Sequence, residues 1–324
     1  MQRKPDLYLL YKIARYYYVD GISQNEIAEK VNISRSQISR LLQKAEDMGI
    51  VKVSVSIPID MDVYELAGAV ENALGLKKVI IAPVNESNIV DDNTIIQAIA
   101  NVAAEFIPEE IKSCRTIGIG WGKTVYETSL QLSYYNERDR NHYFIPLIGI
   151  SGNDNPNLQI NLIIDRFSER FRSKGLFINI PAVRESKIPL SQIENARLEN
   201  LKSLWNHIDA AIVGLGPPPE ISENIISELS QEYKERVINS KTCGDILSQF
   251  YYEDGRIFEY GESYTCVRFD ISRLKKVKKA ICLAGGVDKV KGIITAAKCG
   301  FINTLVTDSV TARYICERCE GYNK

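Results

Sequence analysis

Leu7, Leu10, Tyr11 and Ala14 recur at the spacing of one helical face, which predicts an amphipathic helix ending near the Asp20-Gly21 turn. Ser23 stands three residues before Glu26, and Ser34 three before Gln37. Each pair is a capping box, in which the two side chains satisfy amides that a helix start leaves without partners. Two more helices therefore begin just after Ser23 and Ser34. The stretch Ile27 to Ile33 between them holds two helical turns and a short loop, the spacing of a helix-turn-helix. In the third helix Ile38, Leu41, Leu42 and Ala45 form the apolar side, and Arg35, Ser36, Gln37, Ser39, Arg40, Gln43 and Lys44 supply the polar positions. Gly49 is a plausible end for that helix. Val51, Val53, Val55 and Ile57 then alternate with Lys52, Ser54 and Ser56, predicting a strand that serves as a wing, and Pro58 breaks it. Val63, Leu66, Ala67, Val70 and Leu74 read as a connecting helix. The expected organisation is a small domain over 1–57 and a larger one over 58–324.

From Lys77 onward, short apolar runs alternate with helical stretches, the order of an α/β domain around a mostly parallel sheet. Candidate strands are Val79–Ile81, Thr116–Gly120, Phe144–Ile148, Ala210–Gly214, Ala280–Leu283 and Thr304–Thr307. Ligands of open α/β sheets bind beyond the carboxyl ends of the strands, where helix starts offer free amides to an anion. The glycine-rich loops there are Gly118–Thr124, Gly149–Asn153, Gly214–Gly216 and Gly285–Lys289. Gly122-Lys123-Thr124 resembles the end of a nucleotide-binding phosphate loop, but only three residues separate Gly118 from Gly122, where that loop needs four. The idea of an anion at a helix start survives; the nucleotide does not.

Composition narrows the classes. With 324 residues, 45% of them hydrophobic, the chain can bury a large core. Neither a signal peptide nor an apolar membrane span is evident, so a cytoplasmic protein without a membrane partner is expected. Residues 1–57 carry nine Lys/Arg against six Asp/Glu, whereas 58–324 carry 31 against 35, an asymmetry that permits nucleic-acid contact at one end. The polar face of the third helix suits the major groove, where Arg reads guanine, Gln reads adenine, and Ser or Lys holds phosphates. The seven cysteines suggest reduced thiols. Cys316 and Cys319 form a CxxC, but with no second pair and only His142 and His207 to complete a site, no metal and no cofactor are expected. No catalytic motif is present, and both histidines read as helical. Asp245, between a glycine and an apolar stretch, either points into a cleft or caps a turn.

The chain resembles the SorC family of sugar-responsive bacterial transcriptional regulators over nearly its whole length. The likeness rests on Tyr16–Gly21, Ser23–Ala28, Ser39–Leu42, the Gly-x-Gly-Trp-Gly loop at 118–122, Gly244–Leu247, Ala284–Lys289 and Gly300–Asp308. It implies an effector domain related in fold to ribose-phosphate isomerase and glucosamine-phosphate deaminase, used for sensing, in a homodimer or homotetramer bound to double-stranded operator DNA. It also implies that Trp121, Gly122, Lys123 and Thr124 line the effector site, that Asp245 accepts sugar hydroxyls and that Lys289 meets a phosphate. Gly120, Leu247 and Gly286 join the candidate set from the same loops. The alternative is an active sugar-phosphate isomerase or deaminase fused to a DNA-binding domain. Pro217-Pro218-Pro219 depart from the family, whose members often carry small polar residues there, and Ser151–Pro156 is unusually polar.

Overall fold

Ser23 and Ser34 start helices as their spacing predicts. The first unit of the chain, Met1–Pro58, contains α1 (Leu7–Tyr18), α2 (Gln24–Val31) and α3 (Arg35–Asp47). Both capping boxes close. Ser23 Oγ accepts Glu26 N–H at 3.3 Å while the Glu26 carboxylate accepts Ser23 N–H at 3.0 Å. Ser34 and Gln37 repeat the exchange at 3.3 and 3.1 Å. Asn32 ends α2 in the left-handed region at φ 53°, turning the chain toward α3. Leu10, Ile13, Ala14, Ile27, Ile38, Leu42 and Ala45 make the buried core. The stripe on α1 differs from expectation: Ile13 is buried, while Leu7 and Tyr11 are 57% and 53% exposed. Gly49 follows α3 at φ 68° and its N–H donates to the Glu46 carbonyl at 2.9 Å. The expected wing falls almost entirely outside the described residues, which are 7–51, 61–84, 91–135, 142–152, 155–222 and 229–321 of this computed structural model.

The second unit, Ile59–Lys324, runs α4 (Met61–Leu74), β1 (Lys78–Ala82), α5 (Asp92–Glu110), β2 (Thr116–Ile119), α6 (Lys123–Gln131), β3 (Tyr143–Pro146) and α7 (Ile160–Arg170). It continues with β4 (Lys174–Gly175), β5 (Val183–Glu185), α8 (Gln192–Trp205), β6 (Ala210–Gly214), α9 (Gln231–Ile238), β7 (Gly244–Ile246) and β8 (Gln249–Tyr251). β9 (Tyr264–Cys266), β10 (Lys279–Leu283), α10 (Val290–Lys298), β11 (Thr304–Asp308) and α11 (Ser309–Gly321) complete it. Seven strands form one parallel sheet in the order β1-β11-β10-β6-β2-β3-β4. All six strands read from the sequence are in it, with ends shifted by a residue or two; β4, two residues long, is the addition. Their continuous apolar runs fit a parallel sheet buried on both faces.

Chain order and sheet order together locate a crevice. After β2 the chain proceeds outward to β3 and β4, but from β6 it proceeds the other way to β10 and β11. β2 and β6 are neighbours, so the loops that leave their carboxyl ends diverge and open a gap. A smaller apolar cluster of Val183, Leu229, Val237, Phe250, Phe258 and Tyr260 stands apart from the main core. It is built on the antiparallel pair β5–β9 and the hairpin β7–β8. No described helix is long and apolar enough to cross a membrane.

Candidate functional site

The exposed side of α3 carries Arg35, Ser36, Gln37, Ser39, Arg40, Gln43 and Lys44, all open to solvent. Their surroundings differ along the helix. Gln37 Oε1 is engaged in the capping box, which leaves its amide N–H groups to donate. The Gln43 amide donates to Glu46 at 3.3 Å and Asp47 at 3.2 Å, so the carboxyl end of α3 is acidic and ties up its glutamine. Arg35, Ser36, Ser39 and Arg40, nearer the amino end, form the part of the face best suited to a polyanion.

In the second unit, the gap between β2 and β6 is a cavity of about 220 Å³. That is below the ~300–1,000 Å³ of drug-sized sites and suits a small metabolite. Trp121, Gly122, Lys123, Thr124, Asp245, Leu247 and Lys289 line it. Residues far apart in sequence thus meet. Gly120 and Gly286 lie behind the lining instead of on it. A Cβ at Gly120 would stand 2.8 Å from Leu247 Cδ2, so the glycine lets Leu247 close the floor.

Two segments offer positive charge. Gly122, at φ 125°, starts α6 without a capping side chain, and its N–H donates to the Asn157 carbonyl at 2.9 Å. Gly286, at φ 111°, starts the 3₁₀ turn Val287–Lys289 that leads into α10, again without a cap. Uncapped amides with a lysine beside each make a favourable setting for an anion.

Asp245 lies on β7, whose backbone pairs with the loop after β6: Gly216 N–H donates to the Asp245 carbonyl at 2.9 Å. Its carboxylate folds over Gly216, where a Cβ would meet Oδ1 at 2.0 Å. Oδ2 accepts Ser248 N–H at 3.1 Å, so Asp245 caps a turn and lines a cleft at once. Burial pushes its carboxyl from the ordinary 3.8 up to about 6, against the opposing pull of the Ser248 amide, Arg268 and Lys289. The turn it caps is strained. Leu247 and Ser248 both take left-handed backbones, at φ 53° and 56°, which hairpin turns of two residues require but glycine or asparagine ordinarily supply. The Ser248 carbonyl is anchored by the Tyr260 hydroxyl at 2.9 Å and by Arg268 at 2.5 Å.

Asp92, Ile96, Ser222, Ser248, Phe250 and Asp288 also line the cavity. Sequence reasoning passed over most of them: Asp92 opens α5 beside the capping residue Asp91, and the three-residue strands flanking Ser248 and Phe250 are too short to show a period. Pro217 and Ile221 complete one wall, so the proline-rich turn borders the cavity directly. The histidines differ from their helical reading. His142 precedes β3, buried, with Nδ1 2.8 Å from the Cys114 carbonyl, and His207 follows α8. Cys316 and Cys319 pack against the main core.

Comparison with known proteins gives two domain matches. Residues 20–52 match the winged helix-turn-helix DNA-binding family, and residues 61–317 match a sugar-binding domain family. The sorbitol operon regulator of Klebsiella pneumoniae is 24% identical over 97% of this chain and 99% of its own. The deoxyribonucleoside regulator of Bacillus subtilis is 27% identical over 93% of this chain and 94% of its own. The crystal structure of the full-length Klebsiella protein superposes with a TM-score of 0.74, covering 97% of this chain and 100% of that one.

Proposed function

Since this chain belongs to the SorC family of sugar-binding, DNA-binding transcriptional regulators, we propose that a phosphorylated sugar in the β2–β6 cavity controls the affinity of α3 for operator DNA. The observation that carries the reading is the composition of that cavity. Three carboxylates, Asp92, Asp245 and Asp288, share it with two lysines, Lys123 next to the uncapped Gly122 and Lys289 in the turn that the uncapped Gly286 starts. A sugar needs hydroxyl partners, which Asp245 supplies, and the cationic starts favour a ligand that also carries an anion. The phosphate meets Lys289 and the amides near Gly122, and sugar hydroxyls donate to Asp245. Trp121 and Leu247 supply apolar surface for the carbon chain.

The relatives' names point to a polyol and to deoxyribonucleosides, both polyhydroxylated, which is consistent with a pocket for such ligands. On DNA, Arg35, Ser36, Gln37, Ser39, Arg40, Gln43 and Lys44 face the major groove, with Arg40 the base-reading residue and the serines on phosphates. A homodimer or homotetramer places two such helices on a palindromic operator. Ligand then acts by binding one arrangement of the oligomer better than another, a coupling of about 1–3 kcal/mol.

The test is a thermal-melting screen of the full chain against sugars paired with their phosphates. A ligand at a hundredfold its Kd adds about 2.7 kcal/mol to stability. One phosphorylated sugar is expected to raise the melting temperature where its free form does not, and the same compound to change operator affinity. A response to free sugars alone, or a ligand that binds without altering operator affinity, would refute the proposal.

A further inference from the structure

Lys289 reaches the cavity from a 3₁₀ turn whose start, Gly286, has no side-chain cap. Gly285 and Gly286 are confined from behind. A Cβ at Gly285 would lie 2.3 Å from Asp308 Oδ2 and 2.6 Å from Ile99 Cδ1. Gly286 adopts φ 111°, a backbone that residues with a Cβ rarely take, and its carbonyl accepts Lys289 N–H at 3.0 Å to close the turn.

Behind the turn stands a buried chain of hydrogen bonds. Gly286 N–H donates to Thr311 Oγ1 at 2.7 Å. The Thr311 hydroxyl donates to Asp308 Oδ2 at 2.5 Å, and Thr311 N–H donates to Asp308 Oδ1 at 2.9 Å. Both side chains are fully buried. Asp308 directly precedes α11, so its bond to Thr311 N–H is a helix cap. The cap does not require a hydroxyl at residue 311. What the hydroxyl adds is an acceptor for the Gly286 amide: its proton is committed to the carboxylate, so its lone pairs are left for the turn.

We propose that Thr311 is a positioning residue of the effector site, fixing the Gly285–Gly286 turn so that Lys289 is presented to the ligand's anionic end. The proposal rests on the reading of Lys289 given above. Thr311 is absent from the cavity lining and acts through the backbone of the turn.

Thr311→Val keeps the shape and removes the acceptor, whereas Thr311→Ser keeps the hydroxyl. Amide hydrogen exchange of the full chain without ligand provides the first readout. Over residues 285–290 the valine variant is expected to exchange about tenfold faster and the serine variant within about twofold of wild type, the scale of one buried hydrogen bond. Unchanged exchange in the valine variant overturns the proposal, whatever the ligand. If valine prevents folding, Thr311→Ala replaces it in the same comparison.

The second readout is titration with glucose 6-phosphate and with inorganic phosphate. Whichever binds the wild type is expected to bind Thr311→Val about tenfold more weakly, with serine restoring affinity. In a Lys289→Ala background the valine substitution is expected to add no further loss, because the two act through one contact. Additive losses would mean that Thr311 acts elsewhere. If neither probe binds the wild type, the phosphate reading of Lys289 fails, while the exchange result still decides whether Thr311 holds the turn.

Discussion

The exposed face of α3 and the β2–β6 cavity present polar groups in opposite ways. On α3 one helix carries all the candidate contacts, its amide ends are closed by Ser34 and Gln37, and its side chains stand in solvent. The cavity is assembled from loops after several strands, its helical starts are left open by glycines, and the Asp245 carboxylate is held against a neighbouring backbone. A surface that meets a long polyanion uses flexible side chains, whereas a site for a small ligand uses backbone and tight packing. Substitutions should therefore separate cleanly: small changes of shape matter in the cavity, and changes of functional group matter on α3.

Gly216→Ala is expected to give the largest effect. The added methyl would overlap the Asp245 carboxylate, which is itself fixed through Ser248 and the backbone of residue 216. A loss of about 2–3 kcal/mol in unfolding free energy, read from urea denaturation, should accompany loss of ligand response. A neutral result would show that this part of the cavity yields easily and would weaken the contrast.

Arg40→Ala tests the other side. Operator affinity should fall by about 2 kcal/mol and discrimination between operator and random DNA should narrow, with the melting temperature unchanged. A large drop in stability would indicate that the residue supports the fold.

Asp245 sharpens the comparison through pH. Because its carboxyl is raised from 3.8 to about 6 in the folded protein, the group adds stability below about pH 4, and that contribution is lost as pH rises to 6. Ligand affinity should run the other way. A carboxylate accepts sugar hydroxyls better when ionised, so affinity is expected to rise by up to about tenfold between pH 5 and 7. Asp245→Asn should flatten both profiles; calorimetric titration across that range checks the second and thermal melting the first.

The α3 face was legible because helix period, caps and polar side chains coincide within one short segment. Of the cavity, the glycine loops could be read, since close backbone approach demands small residues at strand ends, and so could Asp245 and Lys289. Ser248 and Phe250 could not: Ser248 sits in the turn between two strands of three residues and Phe250 on the second of them, and the Ser248 carbonyl is held by Tyr260 and Arg268, which arrive from later in the chain. Asp92 was hidden for another reason, since an acid at a helix start has an ordinary local explanation. The α1 stripe was misplaced because Leu7 and Tyr11 continue the apolar spacing although Ile13 is what packs against Ile27 and Ile38.

The pairing of β1 with β11 bears on the order in which a ribosome makes this molecule. Lys78 lies opposite Thr304, so the strand that opens the sugar-binding domain has no partner until residues 304–308 have been translated. The described core of the three helices before it is, by contrast, made of residues between Leu9 and Val51, close together in the chain. At about 5–20 residues per second, roughly ten to forty seconds separate the two strands. Through that interval each new polypeptide carries a helix-turn-helix whose described core is already complete and a sugar-binding domain whose first strand still lacks its β11 partner.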